Sequence, residues 1–181
     1  GDSIVIPRNQ AADAAAGHSY GELVALCAAG RIDETTLHRL SGLRGRLMAR
    51  GEGDRGSMLA VAAPIDDVQS LIENETLDLV VANRNAPEQV VLSGPTSEIQ
   101  RARDLFKKQK VRCKQLPVAA AFHSRLVADA QQPFAEAMAD IALAPGRIPV
   151  YANTTAEPYP DDAEQARRLL AGQLANPVEF V

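Results

Sequence analysis

The chain has 181 residues, of which 46% are hydrophobic and 23% charged, a composition typical of a globular protein with one domain or a main domain and a smaller inserted one. No stretch approaches the ~20 apolar residues of a membrane-spanning helix, and the formal net charge of -4 gives no basic field for nucleic acid. Cys27 and Cys113 are the only cysteines and lack metal-ligand spacing, so we expect a cytoplasmic protein without a zinc site. We also expect no bound cofactor.

The first predicted elements are a strand and two helices. An alanine-rich lead at residues 11–16 precedes the pentapeptide GHSYG at 17–21 and an apolar helix that ends at Gly30. Propensity alone favours a helix for the lead, whereas the turn after it favours a strand. Asp33 is the predicted N-cap of the second helix, which the glycines within residues 51–56 end.

Shorter elements follow from residue 58. Strands are predicted at 58–63, 77–83, 89–94 and 111–118, and helices at 66–72 and 96–110. The order strand, helix, strand, strand, helix, strand is that of a ferredoxin-like module. We therefore predict an α/β fold in which a small subdomain at 56–118 is inserted between two parts, 1–55 and 119–181, of a larger subdomain.

The last third of the chain returns to longer elements. A mostly helical stretch follows residue 121 and contains Pro133, and the segment RIPVYAN at 147–153 is predicted to be a strand. A last helix is predicted to begin at Asp162 and to run into QLANPVEFV.

The pentapeptide at 17–21 matches the Gly-x-Ser-x-Gly pattern of a nucleophile elbow. In such an elbow a sharp strand-to-helix turn exposes the serine, and crowding is expected to require glycine at both flanks. The following helix offers free N–H groups, and the backbone N–H of Tyr20 is placed to bind an oxyanion. The alternative is a chance match in a loop, of which roughly 0.03 are expected in a chain of this composition. Ser19 is therefore the predicted nucleophile.

Three histidines are available as the base that a serine hydroxyl needs. His18 adjoins Ser19, and because neighbouring side chains diverge we interpret it as a packing residue. His38 falls on the polar side of its helix and is predicted to be exposed. His123 follows a predicted strand, at the kind of junction where site residues are common. It is the candidate base, although by itself its position favours an ordinary hydrogen-bonded histidine.

One arginine falls on the apolar face of the second helix. A wheel at about 100° per residue groups four apolar side chains into one arc: Leu37, Leu40, Leu47 and Met48. Arg44 lies inside this arc, and the helix's other arginines lie opposite. A buried guanidinium needs an anion, because it does not lose its proton. Two interpretations remain open: a structural salt bridge, or a site for a substrate carboxylate, which the planar fork can bind through two hydrogen bonds.

Together these segments resemble the malonyl-type acyltransferase family, which includes the transacylases of fatty acid synthesis and the acyltransferase domains of polyketide synthases. The resemblance runs from about Ala11 to Val181 through GHSYGELVAL, LRGRLMA, NRNAPEQVVLSG, AFHS and QLANPV, in the family's order. It implies an α/β-hydrolase-like core with a ferredoxin-like subdomain, which agrees with the order of elements predicted above.

The resemblance also assigns roles. It implies that Ser19 is acylated, that His123 is its base, that Arg44 binds the carboxylate of the acyl group and that a main-chain carbonyl at Gln173 orients the histidine. The implied reaction is ping-pong transfer from malonyl-CoA, or a related acyl-CoA, to the phosphopantetheine thiol of an acyl carrier protein. If the parent is a polyketide synthase, neighbouring synthase domains are further expected partners.

Two residues bear on the choice of acyl group. Phe122 before the histidine resembles the HAFH motif of malonyl-selective domains, although Ala120 stands where that motif has its first histidine. Tyr20 after the nucleophile resembles certain iterative polyketide synthases, including enediyne ones. The family's N-terminal GQG segment, whose glutamine contributes to the oxyanion hole, has no counterpart here, so we expect the chain to be part of a larger protein.

Two other functions compete with acyl transfer. A serine hydrolase of the thioesterase or esterase kind would share the elbow and the base, and Arg44 is the residue that separates it from an acyltransferase. A non-catalytic docking or scaffold module would retain the fold alone. The joint presence of Ser19, His123 and Arg44 argues against a non-catalytic module.

Overall fold

The computed structural model describes residues 12–49, 54–118, 120–123 and 130–180. These residues form an α/β structure whose elements, in chain order, are β1 (Ala15–Ala16), α1 (Gly21–Ala28), α2 (Glu34–Ala49), β2 (Ser57–Val61), α3 (Ile65–Asn74), β3 (Val80–Ala86), β4 (Gln89–Gly94), α4 (Thr96–Lys108), β5 (Cys113–Gln115), α5 (Gln131–Met138), β6 (Val150–Tyr151), α6 (Ala163–Gly172) and β7 (Val178–Glu179). Within the described ranges, none of the helices is long and apolar enough to cross a membrane.

Four helices share one core with a short parallel sheet in the part of the fold that carries the elbow. Strand β1 pairs with β6, with Ala15 opposite Val150. Helices α1, α2, α5 and α6 contribute to one apolar core with this sheet, and its large side chains include Leu23, Leu26 and Phe134. The predicted cap of α2 is confirmed, since the backbone N–H of Thr36 donates to Asp33 Oδ1 at 2.7 Å.

The second sheet has five strands in the order β5-β2-β4-β3-β7. Its pairs are antiparallel except for β3 with β7. Because side chains alternate across a strand, Leu59 and Leu92 belong to a core with helices α3 and α4, while Met58 and Val91 belong to a separate cluster with Phe122. The sheet is therefore apolar on both faces.

Several predicted elements are shorter than the sequence pattern suggested. The first strand covers two residues, and the predicted strand at 111–118 is reduced to Cys113–Gln115. Pro117 has no N–H to donate to a ladder, which is consistent with this early end. Pro133 is the third residue of α5, where its missing N–H leaves no helical hydrogen bond unmade. Of the glycines predicted to end α2, Gly51 and Gly53 lie outside the described residues.

The last strand differs from the prediction that the final helix continues into this region. Helix α6 ends at Gly172, and Val178–Glu179 pairs with Asn83 and Arg84 of β3. Pro177 cannot extend a helix because it lacks an N–H and its ring clashes with the preceding turn. The backbone N–H of Glu179 also donates to the carbonyl of Asn153 at 2.7 Å. The segment thus joins the five-stranded sheet to the end of β6.

Candidate active site

The pentapeptide at 17–21 forms a sharp turn between β1 and α1. Ser19 has a φ of 53°, a left-handed conformation that is uncommon for a residue with a Cβ. A Cβ on Gly17 would lie 2.0 Å from the carbonyl oxygen of Gly21, so glycine is required there. The same expectation for Gly21 was wrong: a Cβ there would meet no described atom within 4 Å, because the residue begins the helix and that side is open.

His123 lies against the serine. Its Nε2 atom is 2.9 Å from Ser19 Oγ, and its Nδ1 atom is 3.0 Å from the carbonyl oxygen of Gln173 and 3.1 Å from that of Asn176. A carbonyl can only accept, so Nδ1 carries the proton and donates to both. Nε2 therefore presents its lone pair to the serine hydroxyl. This geometry joins two of the predicted site residues across 104 positions of sequence.

The surroundings keep the imidazole neutral. Burial lowers the pKa of His123 from the ordinary 6.5 to about 4, and the positive charge of Arg44 acts in the same direction. The hydrogen bonds to Gln173 and Asn176 partly oppose this shift. A neutral imidazole at neutral pH is the form that can accept a proton from Ser19.

Arg44 points inward, as the wheel predicted, whereas Arg39 and Arg46 are exposed. Its side chain donates from Nη2 to Ser19 Oγ at 3.0 Å and from Nε to Met48 Sδ at 3.4 Å. Among the residues that the structure describes, no carboxylate forms an ion pair with it. Burial lowers the pKa of Arg44, and the negative charge of Glu22 partly opposes this. The guanidinium beside the serine therefore keeps capacity for an anion.

Tyr20 contributes a backbone N–H and an exposed side chain. Helix α1 begins directly after it, and within the described part of the chain no group accepts a hydrogen bond from this N–H. Its phenolic oxygen is 2.9 Å from Ser41 Oγ, and Ser41 Oγ in turn donates to the carbonyl of Leu37. The phenol therefore donates to Ser41, which holds the ring over α2.

A buried polar network behind the elbow was not anticipated from the sequence. Asn153 Oδ1 accepts from the backbone N–H of Ser19 at 2.5 Å, and its Nδ2 donates to the carbonyl of Gly17 at 2.8 Å. Gln173 Nε2 donates to the carbonyl of Ser19 at 2.7 Å. Asn153 follows β6 and so stands at the carboxyl end of a parallel strand, a common place for site residues. That position was the signal available in the sequence.

The remaining candidates lie around this centre. His18 is exposed, with Nε2 2.7 Å from Asn85 Oδ1 and its ring edge-on to Phe180 at 5.3 Å, so its ring is engaged away from the serine. His38 is exposed, as predicted. Phe122 is half-buried and packs against the face of the five-stranded sheet that lies opposite helices α3 and α4. No group of three or more His, Cys, Asp or Glu side chains able to hold a metal occurs within the described ranges.

The arrangement suits nucleophilic chemistry on a carbonyl. It brings together a serine hydroxyl, a neutral imidazole that can take its proton, the Tyr20 N–H at a helix start and a guanidinium. These are the parts that covalent acyl transfer requires, with a cation that favours a negatively charged acyl group.

The chain is similar to known proteins over most of its length. The family model described as acyl transferase domain matches residues 9–181. The polyketide biosynthesis protein PksE of Bacillus subtilis strain 168 is 42% identical in an alignment of 172 residues, which covers 93% of this chain and 22% of that protein. The chain thus spans about a fifth of the length of that relative.

Two solved structures are similar over nearly the whole chain. The malonyl CoA-acyl carrier protein transacylase of Burkholderia pseudomallei superposes with a TM-score of 0.86 at 39% identity, over 94% of this chain and 58% of that one. A type II polyketide malonyl-transacylase in complex with its acyl-carrier protein gives a TM-score of 0.86 at 32% identity, over 94% of this chain and 57% of the other.

Proposed function

This chain belongs to the family of acyl transferase domains, and we propose from that premise that it moves a malonyl group from coenzyme A to the phosphopantetheine thiol of an acyl carrier protein. The setting is polyketide or fatty acid biosynthesis. The observation that carries the proposal is the Arg44 guanidinium, which lies 3.0 Å from Ser19 Oγ without a carboxylate partner among the described residues. The names of the similar transacylases support the same acyl group and the same carrier.

In the first half-reaction the serine is acylated. His123 Nε2 takes the hydroxyl proton while Ser19 Oγ attacks the thioester carbonyl, and the backbone N–H of Tyr20 stabilises the oxyanion. The tetrahedral intermediate collapses with cleavage of the C–S bond. The leaving sulfur takes the proton from His123, so free coenzyme A departs and malonyl-Ser19 remains.

The second half-reaction reverses these roles. His123 takes the proton of the carrier's thiol, the sulfur attacks the ester carbonyl, and the C–O bond to Ser19 breaks. The proton returns to Ser19 Oγ, which restores the enzyme. Gln173 contributes the main-chain carbonyl that holds the imidazole in the tautomer both half-reactions need.

Arg44 selects an acyl group that carries a carboxylate. Before substrate binds, the Arg44 side chain donates to Ser19 Oγ. When malonyl-CoA is bound, the planar guanidinium turns to the malonyl carboxylate and donates two parallel hydrogen bonds to it. Two residues are proposed to determine specificity. The Phe122 side chain excludes a branched acyl chain by steric hindrance, and Tyr20 contacts the acyl group from the elbow. Acyl-CoA is a substrate in this scheme, and no cofactor takes part.

The fold fits this assignment. We propose that residues 1–55 and 119–181 belong to an α/β-hydrolase-like subdomain and that 56–118 belong to a ferredoxin-like one. The order β5-β2-β4-β3 within the five-stranded sheet supports the smaller unit, and the parallel β1–β6 pair next to the elbow supports the larger one. Neighbouring synthase domains are proposed partners if the parent is a polyketide synthase.

The experiment is intact-protein mass spectrometry of the full-length protein after incubation with malonyl-CoA. We expect a malonyl adduct that maps to Ser19, persists in water and disappears on addition of a holo acyl carrier protein. The variant Ser19→Ala is the control and should carry no adduct. Absence of an adduct from the wild-type protein would overturn the proposal, and an adduct that water removes as fast as the carrier does would indicate a hydrolase instead.

A further inference from the structure

Asn153 forms two hydrogen bonds to the backbone of the elbow on the N-terminal side of the nucleophile. Its side-chain oxygen accepts from the N–H of Ser19 and its side-chain nitrogen donates to the carbonyl of Gly17. The residue is 1% exposed. An amide is the side chain that offers one acceptor and two donors on a single planar group, so it matches this pair of backbone groups where a carboxylate or an apolar side chain would not.

The backbone that Asn153 holds is one that Ser19 would not adopt unaided. A φ of 53° is disfavoured for any residue with a Cβ and persists only where the surrounding structure imposes it. The position of Ser19 Oγ relative to His123 Nε2 depends on this conformation, because a relaxed φ would swing the Cα–Cβ bond away from the imidazole.

The Glu22 carboxylate binds the backbone of Asn153. Its Oε1 accepts from the backbone N–H of Asn153 at 3.0 Å and from the hydroxyl of Tyr159 at 2.6 Å. Glu22 is buried in the first turn of α1, so the helix that follows the serine also fixes the residue that clamps it. The loop after β6 therefore has little freedom to move relative to the elbow.

Gln173 is a second residue whose side chain binds the backbone of Ser19. Its Nε2 atom donates to the carbonyl of Ser19 at 2.7 Å, while its own carbonyl accepts from His123 Nδ1 at 3.0 Å. One residue thus fixes the backbone of the nucleophile and the ring of its base. The peptide groups on both sides of Ser19 are hydrogen-bonded to amide side chains.

We propose that Asn153 is a positioning residue, which with the side chain of Gln173 holds Ser19 in the left-handed conformation needed for attack. The inference rests on the proposed function, since it assigns a role within that reaction. It adds a residue that contacts no reacting atom and acts through the backbone of the nucleophile.

The test measures acylation per active site in the full-length protein. For Asn153→Ala we expect the rate constant for Ser19 acylation by malonyl-CoA to fall about 100-fold, the size of effect that a 1 Å misplacement produces, with the KM for malonyl-CoA unchanged. Asn153→Asp keeps the volume and the acceptor but lacks the donor to Gly17, and it should fall by a similar factor. It serves if the alanine variant does not fold.

The matched control is Arg31→Met. Arg31 is buried in the same part of the fold and donates to the carbonyls of Ala144, Tyr159 and Pro160, without contact to the elbow. We expect this variant to lower the melting temperature while its acylation rate constant per folded site stays at the wild-type value. If the Asn153 variants behave like this control, with fewer active sites but an unchanged rate constant, Asn153 is only structural and the inference is wrong.

A second probe separates the inference from the proposed function. Labelling of Ser19 by a fluorophosphonate depends on the elbow geometry and not on malonyl-CoA, and we expect its rate to fall in the Asn153 variants by a similar factor. A wild-type protein that labels rapidly but takes no malonyl group would overturn the proposed function alone. Equal labelling rates in wild type and Asn153→Asp would overturn the inference alone.

Discussion

Ser19 and His123 both hold left-handed backbone conformations, with φ values of 53° and 56°, and their side chains meet at 2.9 Å between Oγ and Nε2. Two uncommon conformations thus face each other across one hydrogen bond. Such conformations concentrate at functional sites, where the surrounding structure imposes them.

The charge of the acyl group should depend on Arg44. For Arg44→Ala we expect kcat/KM with malonyl-CoA to fall about 10- to 100-fold, because a charge-assisted hydrogen bond to the carboxylate contributes about 1.5–3 kcal/mol. Acetyl-CoA, which has no carboxylate, should be spared or used better. Steady-state transfer to a carrier with each donor measures the difference. Arg46→Ala, two residues along the same helix and exposed, is the control, and equal losses for both donors would mean that Arg44 is structural.

Acylation should persist to unusually low pH. His123 has a pKa of about 4 instead of 6.5, so its Nε2 atom remains free for proton transfer until the pH approaches 4. A pH-jump measurement of Ser19 acylation should give a midpoint near 4, and Arg44→Ala should raise it because a nearby positive charge is removed. A midpoint near 6.5 in the wild-type protein would contradict the burial of this histidine.

The same histidine makes stability depend on pH. Between pH 4 and 6.5 the unfolded chain binds a proton at His123 that the folded chain does not, so the free energy of unfolding falls as the pH falls through this window. The contribution is fully present above pH 6.5. Chemical denaturation of the wild type and of His123→Gln at several pH values measures it, and the variant should show a weaker dependence. Identical slopes would remove His123 as the cause.

The two glycines of the elbow should respond differently to an added methyl group. Gly17→Ala places a Cβ 2.0 Å from a backbone oxygen, so the turn cannot keep its conformation, and we expect loss of Ser19 acylation together with a clear drop in melting temperature. Gly21→Ala adds a Cβ in open space at the start of a helix and should leave the melting temperature unchanged or slightly higher. A comparable drop in both variants would refute the steric argument.

The side chain before the base should influence branched substrates. Phe122 packs against the cluster of Met58, Ala82 and Val91 on the five-stranded sheet, and Phe122→Ser would open space for the extra methyl group of methylmalonyl-CoA. Because one methyl group in an apolar pocket changes discrimination by about 10- to 200-fold, we expect the preference for malonyl over methylmalonyl to fall about 10-fold. Competition between the two donors with mass analysis of the loaded carrier measures this, and an unchanged ratio would leave Phe122 without a role in selectivity.

Local pattern was sufficient to predict most elements and to propose which side chains react. The Gly-x-Ser-x-Gly spacing depends on the sterics of one turn, and the inward position of Arg44 follows from helical periodicity, so both can be read without knowing what lies opposite. The sequence was less informative where a neighbour decides the structure. Strand β7 has only two residues, too few for a periodic signal, and exists because β3 offers it a partner.

By itself the sequence determined which side chains could supply the chemistry, because a nucleophile, a base and a cation are properties of residue types and local spacing. Only the tertiary structure decided that Asn153 and Gln173 hold the backbone of Ser19, since the bonds from Ser19 to these residues cross 134 and 154 positions of sequence. The tertiary structure also decided that a side chain larger than that of glycine would fit at position 21. These outcomes depend on which atoms the folded chain brings within hydrogen-bonding or van der Waals distance, and no local pattern encodes that proximity.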